Sequence, residues 1–372
     1  MMNDLSLYVH IPFCARKCRY CDFTSFPAPP GRIGEYMQAL RSELADAGDE
    51  YGELRLNTIY IGGGTPTYID TSYIARLCEL IFEIMDVSPD AEISIECNPG
   101  STDRNKLEVY RGAGINRLSI GAQSVNDNEL TLLGRIHDST DLFRTYEDAR
   151  DAGFDNINID LMSAIPGQTL STYEHSLRTI CELGPEHISA YSLQLEEGTY
   201  LYEHRDEFEF TDEDTDREMY HMTADVLGEY GYRRYEISNY SGPGYECRHN
   251  IVYWTGGDYL GIGLGAASLI DNVRYKNTEE LLRYLSGERA IESILLSADD
   301  RKEEFMFLGL RMICGISCEE FKLRFGKDID EVYGEVIRDM TGMGMLIREG
   351  DHIRLSDPGL DVCNYVLSGF ML

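Results

Sequence analysis

Three cysteines crowd into one short stretch, Cys14-Ala-Arg-Lys-Cys18-Arg-Tyr-Cys21. The pattern C-x3-C-x2-C follows Leu5–Phe13, a run rich in strand-forming residues. A cube of four irons normally takes four cysteine thiolates. Three on one loop leave one iron open to an exchangeable ligand. Structural zinc would want a fourth Cys or His close by, yet two places after Cys21 stands Phe23. The spacing favours an iron–sulfur cluster over zinc or free thiols.

The elements that must position this loop alternate. Short β-rich runs (Leu5–Phe13, Thr58–Ile61, Glu92–Glu96, Arg117–Ile120, Asn156–Met162 and His187–Leu193) are separated by amphipathic stretches such as Gly34–Asp46, Ser72–Met85, Asp141–Ala152 and Ser171–Leu183. Strands alternating with helices imply parallel pairing through right-handed crossovers. Apolar strands such as Ile157-Asn-Ile-Asp-Leu-Met suit a sheet covered by helices. Six such units predict an α/β fold, a partial (β/α)6 barrel. Gly62-Gly-Gly-Thr-Pro-Thr, Glu96-Cys-Asn-Pro, Gly121-Ala-Gln-Ser and Ile165-Pro-Gly fall where strands end, the edge at which such folds bind ligands.

After Leu195 the pattern changes. Thr211–Gly231 reads as a helix, Arg234–Tyr240 as a strand, and Tyr259–Ile270 is glycine-rich and apolar. Near the end, helical Phe305–Ile313 and Ile329–Met343 precede a strand pair, Met345–Arg348 and His352–Leu355. Three units are expected: the partial barrel over 1–235, an extension with extra strands over 236–290, and a small C-terminal helical, winged-helix-like domain over 291–372.

A formal net charge of -32 argues against nucleic acid, whose phosphates would be repelled. No apolar run reaches the roughly 18 residues of a membrane span. Met1 and Met2 lead almost directly into Leu5-Ser-Leu-Tyr-Val-His without a secretory pattern, so a cytoplasmic location is expected. Ten cysteines are too sparse for a disulfide scaffold. Cys78, Cys97 and Cys181 sit in apolar surroundings and read as core. Cys314 and Cys318, four apart in a helical stretch, read as packing on one face.

With these motifs together, the sequence resembles the radical S-adenosylmethionine (SAM) superfamily. The resemblance implies that SAM binds the open iron through its amino and carboxylate groups, and that an electron then splits its sulfonium bond. Tyr20, before the third cysteine, would lie near the adenine, and Gly62-Gly-Gly64-Thr65 would receive the amino group. Tyr8-Val-His-Ile-Pro-Phe-Cys14, Ile93-Ser-Ile-Glu96, Arg117-Leu-Ser-Ile-Gly-Ala-Gln123, Ile159-Asp-Leu and Phe307-Leu-Gly-Leu-Arg311 narrow the likeness to coproporphyrinogen-dehydrogenase-like proteins. By that analogy Tyr8, Tyr20, Gly64, Thr65, Glu96, Gln123, Arg135 and Asp160 bind SAM. The residue-level alternative is that Glu96 and Asp160 only cap strand ends.

Two departures separate the chain from the dehydrogenase pattern, which carries a fourth cysteine where Phe23 stands and a long N-terminal extension. Both match a sister group, the haem chaperones commonly called HemW. His249-Asn-Ile-Val-Tyr253-Trp254 also fits that group's H-N-x-x-Y-W motif, which is associated with haem. On a helix His249 and Tyr253 would lie one turn apart, and imidazole is a common haem ligand; the bland reading is a surface helix whose His packs locally. The resemblance therefore implies a haem-binding chaperone carrying a 4Fe–4S cluster and SAM. Its partners would be haem or another tetrapyrrole, apo-haemoprotein acceptors including membrane-bound ones, and an electron donor. The alternatives are enzymes: an oxygen-independent coproporphyrinogen III oxidase (dehydrogenase), or a methyltransferase that opens haem.

Overall fold

The computed structural model describes residues 4–371; Met1–Asn3 and Leu372, the outer ends of the expected units 1–235 and 291–372, lie outside the described residues. The alternation seen in the sequence becomes six strands: β1 (Asp4–Ile11), β2 (Arg55–Gly63), β3 (Asp86–Cys97), β4 (Arg117–Gln123), β5 (Ile157–Ser163) and β6 (His187–Ser192). Each pairs parallel with the next. Helices α1 (Arg32–Tyr51), α2 (Thr71–Ile84), α3 (Arg104–Gly112), α4 (Ser139–Asp151) and α5 (Leu170–Leu183) fill the crossovers. Side chains that take orphan N–H groups set where several begin: Asp70 caps α2, and capping boxes at Asp138 and Thr169 open α4 and α5. Helix α3 escapes the periodicity because it buries only Leu107 and Tyr110.

Extra strands extend both edges. After α6 (Glu213–Glu229), the expected strand Arg234–Tyr240 is instead a reversal, with β7 (Arg233–Arg234) folding back antiparallel on β8 (Asn239–Ser241). The buried Glu236 carboxylate makes the bend by accepting the Ser238 N–H and the Asn239 side-chain amide. The short helix α7 (Arg248–Trp254) follows. The glycine-rich segment then splits into β9 (Tyr259–Ile262), parallel to β1, and β10 (Ala267–Ile270). Gly263 between them has φ of 103°, and a Cβ there would meet the His10 carbonyl oxygen at 2.7 Å. Strands β11 (Val273–Asn277) and β12 (Ala290–Leu295) complete a twelve-stranded sheet in the order β12-β11-β10-β9-β1-β2-β3-β4-β5-β6-β8-β7, whose edge strands are not paired with each other. The barrel stays partial.

The C-terminal module has its own core, including Met306, Phe321, Tyr333, Ile353 and Phe370. It comprises α8 (Ala298–Gly309), β13 (Ile316–Ser317), α9 (Cys318–Phe325), α10 (Ile329–Gly342), β14 (Leu346–Glu349) and β15 (His352–Leu355), with the strands ordered β13-β15-β14. Helix α8 ends before Ile313 because the chain there bonds back to the barrel, the Ile313 N–H donating to the Tyr235 carbonyl at 3.0 Å. Cys314 is therefore exposed in a turn while Cys318 opens α9, and the two share no helix face. Cys78, Cys97 and Cys181 are buried.

The barrel strands differ from a uniformly apolar set. Leu5, Leu7 and Val9, Ile59 and Ile61, Ile93 and Ile95, Leu118 and Ile120, and Ile157 and Ile159 belong to the main apolar core. The alternate positions, facing the lumen by the period-2 rule, are polar: Ser6, Thr58, Glu92, Ser94, Ser119, Asn158 and His187 are all buried.

Helix α7 closes the end of the lumen where the strands begin. The Glu92 carboxylate accepts the backbone N–H groups of Arg248 and His249, both at 3.1 Å, which suits a helix N-terminus. The same carboxylate's charge acts on the fully buried Arg117 guanidinium. Replacing Glu92 by Ala leaves a buried cation and orphaned N–H groups, and should cost about 3 kcal/mol. Chemical denaturation checks this; a change under about 0.5 kcal/mol, the level of an ordinary surface substitution, would show that the plug does not depend on Glu92.

Candidate functional site

The other end of the lumen carries the cysteine loop. Cys14, Cys18 and Cys21 line one cavity with Tyr20, Gly63, Gly64, Thr65, Glu96, Asn98, Ser119, Gln123, Arg135, Asp160 and Tyr191; it holds about 690 Å³ of atom-free space, part of it open to solvent. Each sulfur has a polar neighbour. The Thr65 hydroxyl donates to Cys14 at 3.6 Å, Arg135 Nη1 donates to Cys18 at 3.5 Å, and Ser25 Oγ lies 3.5 Å from Cys21. Among the described residues no three His, Cys, Asp or Glu side chains are grouped to hold one metal ion. A cube differs in that its cysteines bind separate irons, so they need not converge on a single ion. Burial pushes the Cys14 thiol up from its ordinary value, so its thiolate needs a metal or a donor to stabilise it. The donor set fits a cluster better than zinc.

The glycine triplet at the end of β2 is where backbone must come close. A Cβ on Gly62 would meet Glu96 Oε1 at 2.9 Å, one on Gly63 would meet His10 Cε1 at 2.7 Å, and one on Gly64 would meet Cys14 Sγ at 2.8 Å. Any side chain here would collide with the sulfur, the carboxylate or the imidazole. The Gly63 N–H donates to Glu96 Oε2 at 2.9 Å, and the Tyr60 hydroxyl to Oε1 at 3.0 Å. Burial, reinforced by the nearby Asp160 charge, raises the Glu96 carboxyl to about 7 despite these donors. Asp160 is raised too, chiefly by burial, and accepts Asn158 Nδ2 at 2.7 Å and the Ser119 hydroxyl at 3.4 Å. Two half-buried carboxylates at the edge of one cavity suit hydroxyls or a cationic ligand.

The remaining residues named from the sequence fall into two groups. Gln123 holds a left-handed backbone, φ 69°, and its side-chain oxygen accepts the Tyr191 hydroxyl at 2.8 Å. Arg135, which the resemblance assigns to SAM, has several partners inside the protein. Within the protein its Nη2 donates to Asn98 Oδ1 and the Gly121 carbonyl, each at 2.6 Å, while Nη1 reaches Cys18 and the Tyr20 hydroxyl. Tyr8 lies deeper, 2.9 Å from His10 Nδ1 and stacked on Tyr60 at 6.3 Å between centroids. Asn98 and Tyr191 were not singled out, although Asn98 sits in the strand-end segment Glu96-Cys-Asn-Pro. It joins Arg135 to Thr65, whose hydroxyl accepts its amide at 2.7 Å.

His249, Tyr253 and Trp254 are not in this cavity. They lie on α7 at the opposite end of the lumen. His249 is buried, with Nδ1 2.8 Å from the Thr58 hydroxyl and Nε2 3.0 Å from the Tyr253 hydroxyl. The Thr58 hydroxyl donates to Ser6 at 2.8 Å. Nδ1 therefore carries the proton and Tyr253 occupies the Nε2 lone pair. Burial lowers the imidazole to about 3, so it is neutral. Iron could reach Nε2 only if Tyr253 moved away. The ring also stacks on Tyr60 at 5.2 Å, and Arg311 lies over Trp254 at 5.5 Å.

A family model described as "Radical SAM superfamily" matches residues 8–180, and one described as "HemN C-terminal domain" matches residues 296–362. The heme chaperone HemW of Bacillus subtilis (strain 168) is 34% identical over 98% of this chain and 99% of its own. That of Lactococcus lactis is 36% identical over 99% and 97%, and that of Escherichia coli (strain K12) 33% over 100% and 99%. Among solved structures, the coproporphyrinogen III oxidase HemN of Escherichia coli, a radical SAM enzyme, superposes with a TM-score of 0.87 at 24% identity, over 99% of this chain and 90% of that one.

Two outcomes are expected at this site. Cys18→Ser should abolish the brown absorbance and most of the iron of anaerobically reconstituted protein; full iron content in the variant would refute the ligand set. SAM is cationic at its sulfonium, so a SAM site that includes Glu96 would favour the ionised carboxylate. Since the free carboxyl titrates near 7, affinity should fall as pH drops below 7, by about tenfold per unit once Glu96 is mostly protonated. Glu96→Gln should flatten that dependence, as read by calorimetry; an unchanged profile in the variant would remove Glu96 from the site.

Proposed function

Because the chain belongs to the haem chaperone HemW family of the radical SAM superfamily, we propose that it binds haem and passes it to apo-haemoproteins, membrane-bound respiratory ones among them. The observation that carries the reading is that the likeness to heme chaperones runs through both the barrel and the C-terminal module. In this reading Cys14, Cys18 and Cys21 hold a 4Fe–4S cluster, and Tyr20, Gly64, Thr65, Glu96, Gln123, Arg135 and Asp160 surround SAM, with Tyr8 supporting them from below. When bound, the cluster supplies an open iron for SAM and an electron, which a separate donor must deliver.

The chain's own residues bind and orient. Arg135 sets a fixed positive charge beside the Cys18 sulfur, to which its Nη1 donates at 3.5 Å. Thr65 donates to Cys14. Glu96, held by Tyr60 and the Gly63 N–H, is placed to accept from an amino group or a ribose hydroxyl, and Asp160 offers a second acceptor. Coordination of haem iron by His249 requires Tyr253 to release Nε2; with that bond made, the motif supports the barrel.

The enzyme reading, oxidative decarboxylation of coproporphyrinogen III, has a shared fold behind it, but the exposed Phe23 stands where that family's pattern has a cysteine. One experiment weighs the two. Cluster-loaded protein is titrated with haemin without oxygen, mixed with an apo-haemoprotein, and separately supplied with coproporphyrinogen III and SAM. Near one equivalent of haem should bind and then move to the acceptor, with no decarboxylation. Turnover of coproporphyrinogen with no haem uptake would replace the chaperone reading with the enzyme one.

A further inference from the structure

Away from the cluster, a second groove opens where the end of β12 and α8 meet α9 and the loop after α7. It holds about 860 Å³ of atom-free space, part of it open to solvent, on the scale of a tetrapyrrole. Leu296, Ala298, Phe305 and Phe325 give it apolar walls, and Arg301 and Arg324 stand among them. Cations beside aromatic walls suit a flat apolar ligand with an acidic edge.

We propose that this groove holds haem, with the macrocycle against Phe305 and Phe325 and the two propionates on Arg301 and Arg324. The inference rests on the haem-chaperone reading and gives it a place. Arg301 Nη2 donates to the Gly256 carbonyl at 2.9 Å and Nη1 to Glu304 at 3.1 Å. Arg324 donates to the Thr255 carbonyl at 2.8 Å and to Glu320, and lies over the Phe305 ring at 5.4 Å. A guanidinium has five N–H donors, and the bonds just named use two on each. The one carboxylate in the lining, Glu304, is neutralised by Arg274 at 2.7 Å as well as by Arg301, so it does not repel an anion. Against a net charge of -32 over the whole chain, Arg274, Arg301 and Arg324 outnumber the carboxylates they pair with, Glu304 and Glu320, by one.

Among the described residues the lining also contains no His, Cys, Met or Tyr. Haem held there keeps its iron free of a strong protein ligand, so an acceptor's own axial residue can take the iron before the propionates let go. Leu295 and Leu323, next in sequence to lining residues, are 74% and 80% exposed. Apolar surface is therefore open to solvent on the elements that form the groove, where an acceptor could dock.

The test titrates haemin and haem dimethyl ester into the full-length, cluster-loaded protein and into its Arg324→Gln and Ala298→Trp variants. Arg324→Gln removes a propionate partner, and Ala298→Trp fills the groove at an exposed position on the first turn of α8. Each should weaken haemin binding tenfold or more, with SAM affinity unchanged. The ester should bind the unaltered protein at least tenfold more weakly than haemin, and bound haemin should give a high-spin spectrum. Binding within twofold in both variants, or a low-spin spectrum with a nitrogen or thiolate ligand, would overturn the groove while leaving the chaperone reading intact. Unaltered protein that takes up no haem at all would overturn both.

Discussion

A half-barrel with a polar lumen has to be stoppered, because buried carboxylates, guanidinium and imidazoles are costly unless each finds a partner. Here the two ends solve that problem differently. At the end where the strands start, the backbone of α7 does it, its first N–H groups landing on Glu92. At the other end Glu96 and Asp160 keep capacity to spare, and the glycine triplet removes side chains that would fill the space. The closed end ties the short helix to the third strand through Glu92. The open end is left for a ligand that brings its own charge.

The two ends are in contact through a single layer. His249 stacks on Tyr60, and the Tyr60 hydroxyl donates to Glu96. His249 is thus a wedge beneath the Glu96 carboxylate. Its neutral ring and two satisfied nitrogens make it a stable wedge. Haem, in this account, belongs elsewhere: in a groove with apolar walls and paired arginines that grips the edge of the ring and leaves the metal accessible.

Much of this was legible in the sequence, for physical reasons. The cysteine spacing, the alternation of strands and helices, and the clustering of Gly62–Gly64, Glu96 and Gln123 at strand ends follow from local periodicity and from the rule that parallel strands bind ligands at one edge. Less was visible where tertiary bonds decide. The reversal at Glu236 and the early end of α8 are made by partners distant in sequence or by a single buried carboxylate. The engagement of both His249 nitrogens needed Thr58, far away in the chain, and no spacing rule could supply it. The four close partners of Arg135, a sulfur, a phenol, an amide and a backbone carbonyl, likewise come from segments that no local spacing brings together.

The central claim is that three sulfurs on one loop leave a metal corner vacant for SAM beside the Glu96 cavity. Electron paramagnetic resonance of the reduced, reconstituted protein with and without SAM addresses it directly. The account predicts a cubane signal whose g-values shift when SAM is added. A cubane signal indifferent to saturating SAM, or none in fully reconstituted material, would contradict it.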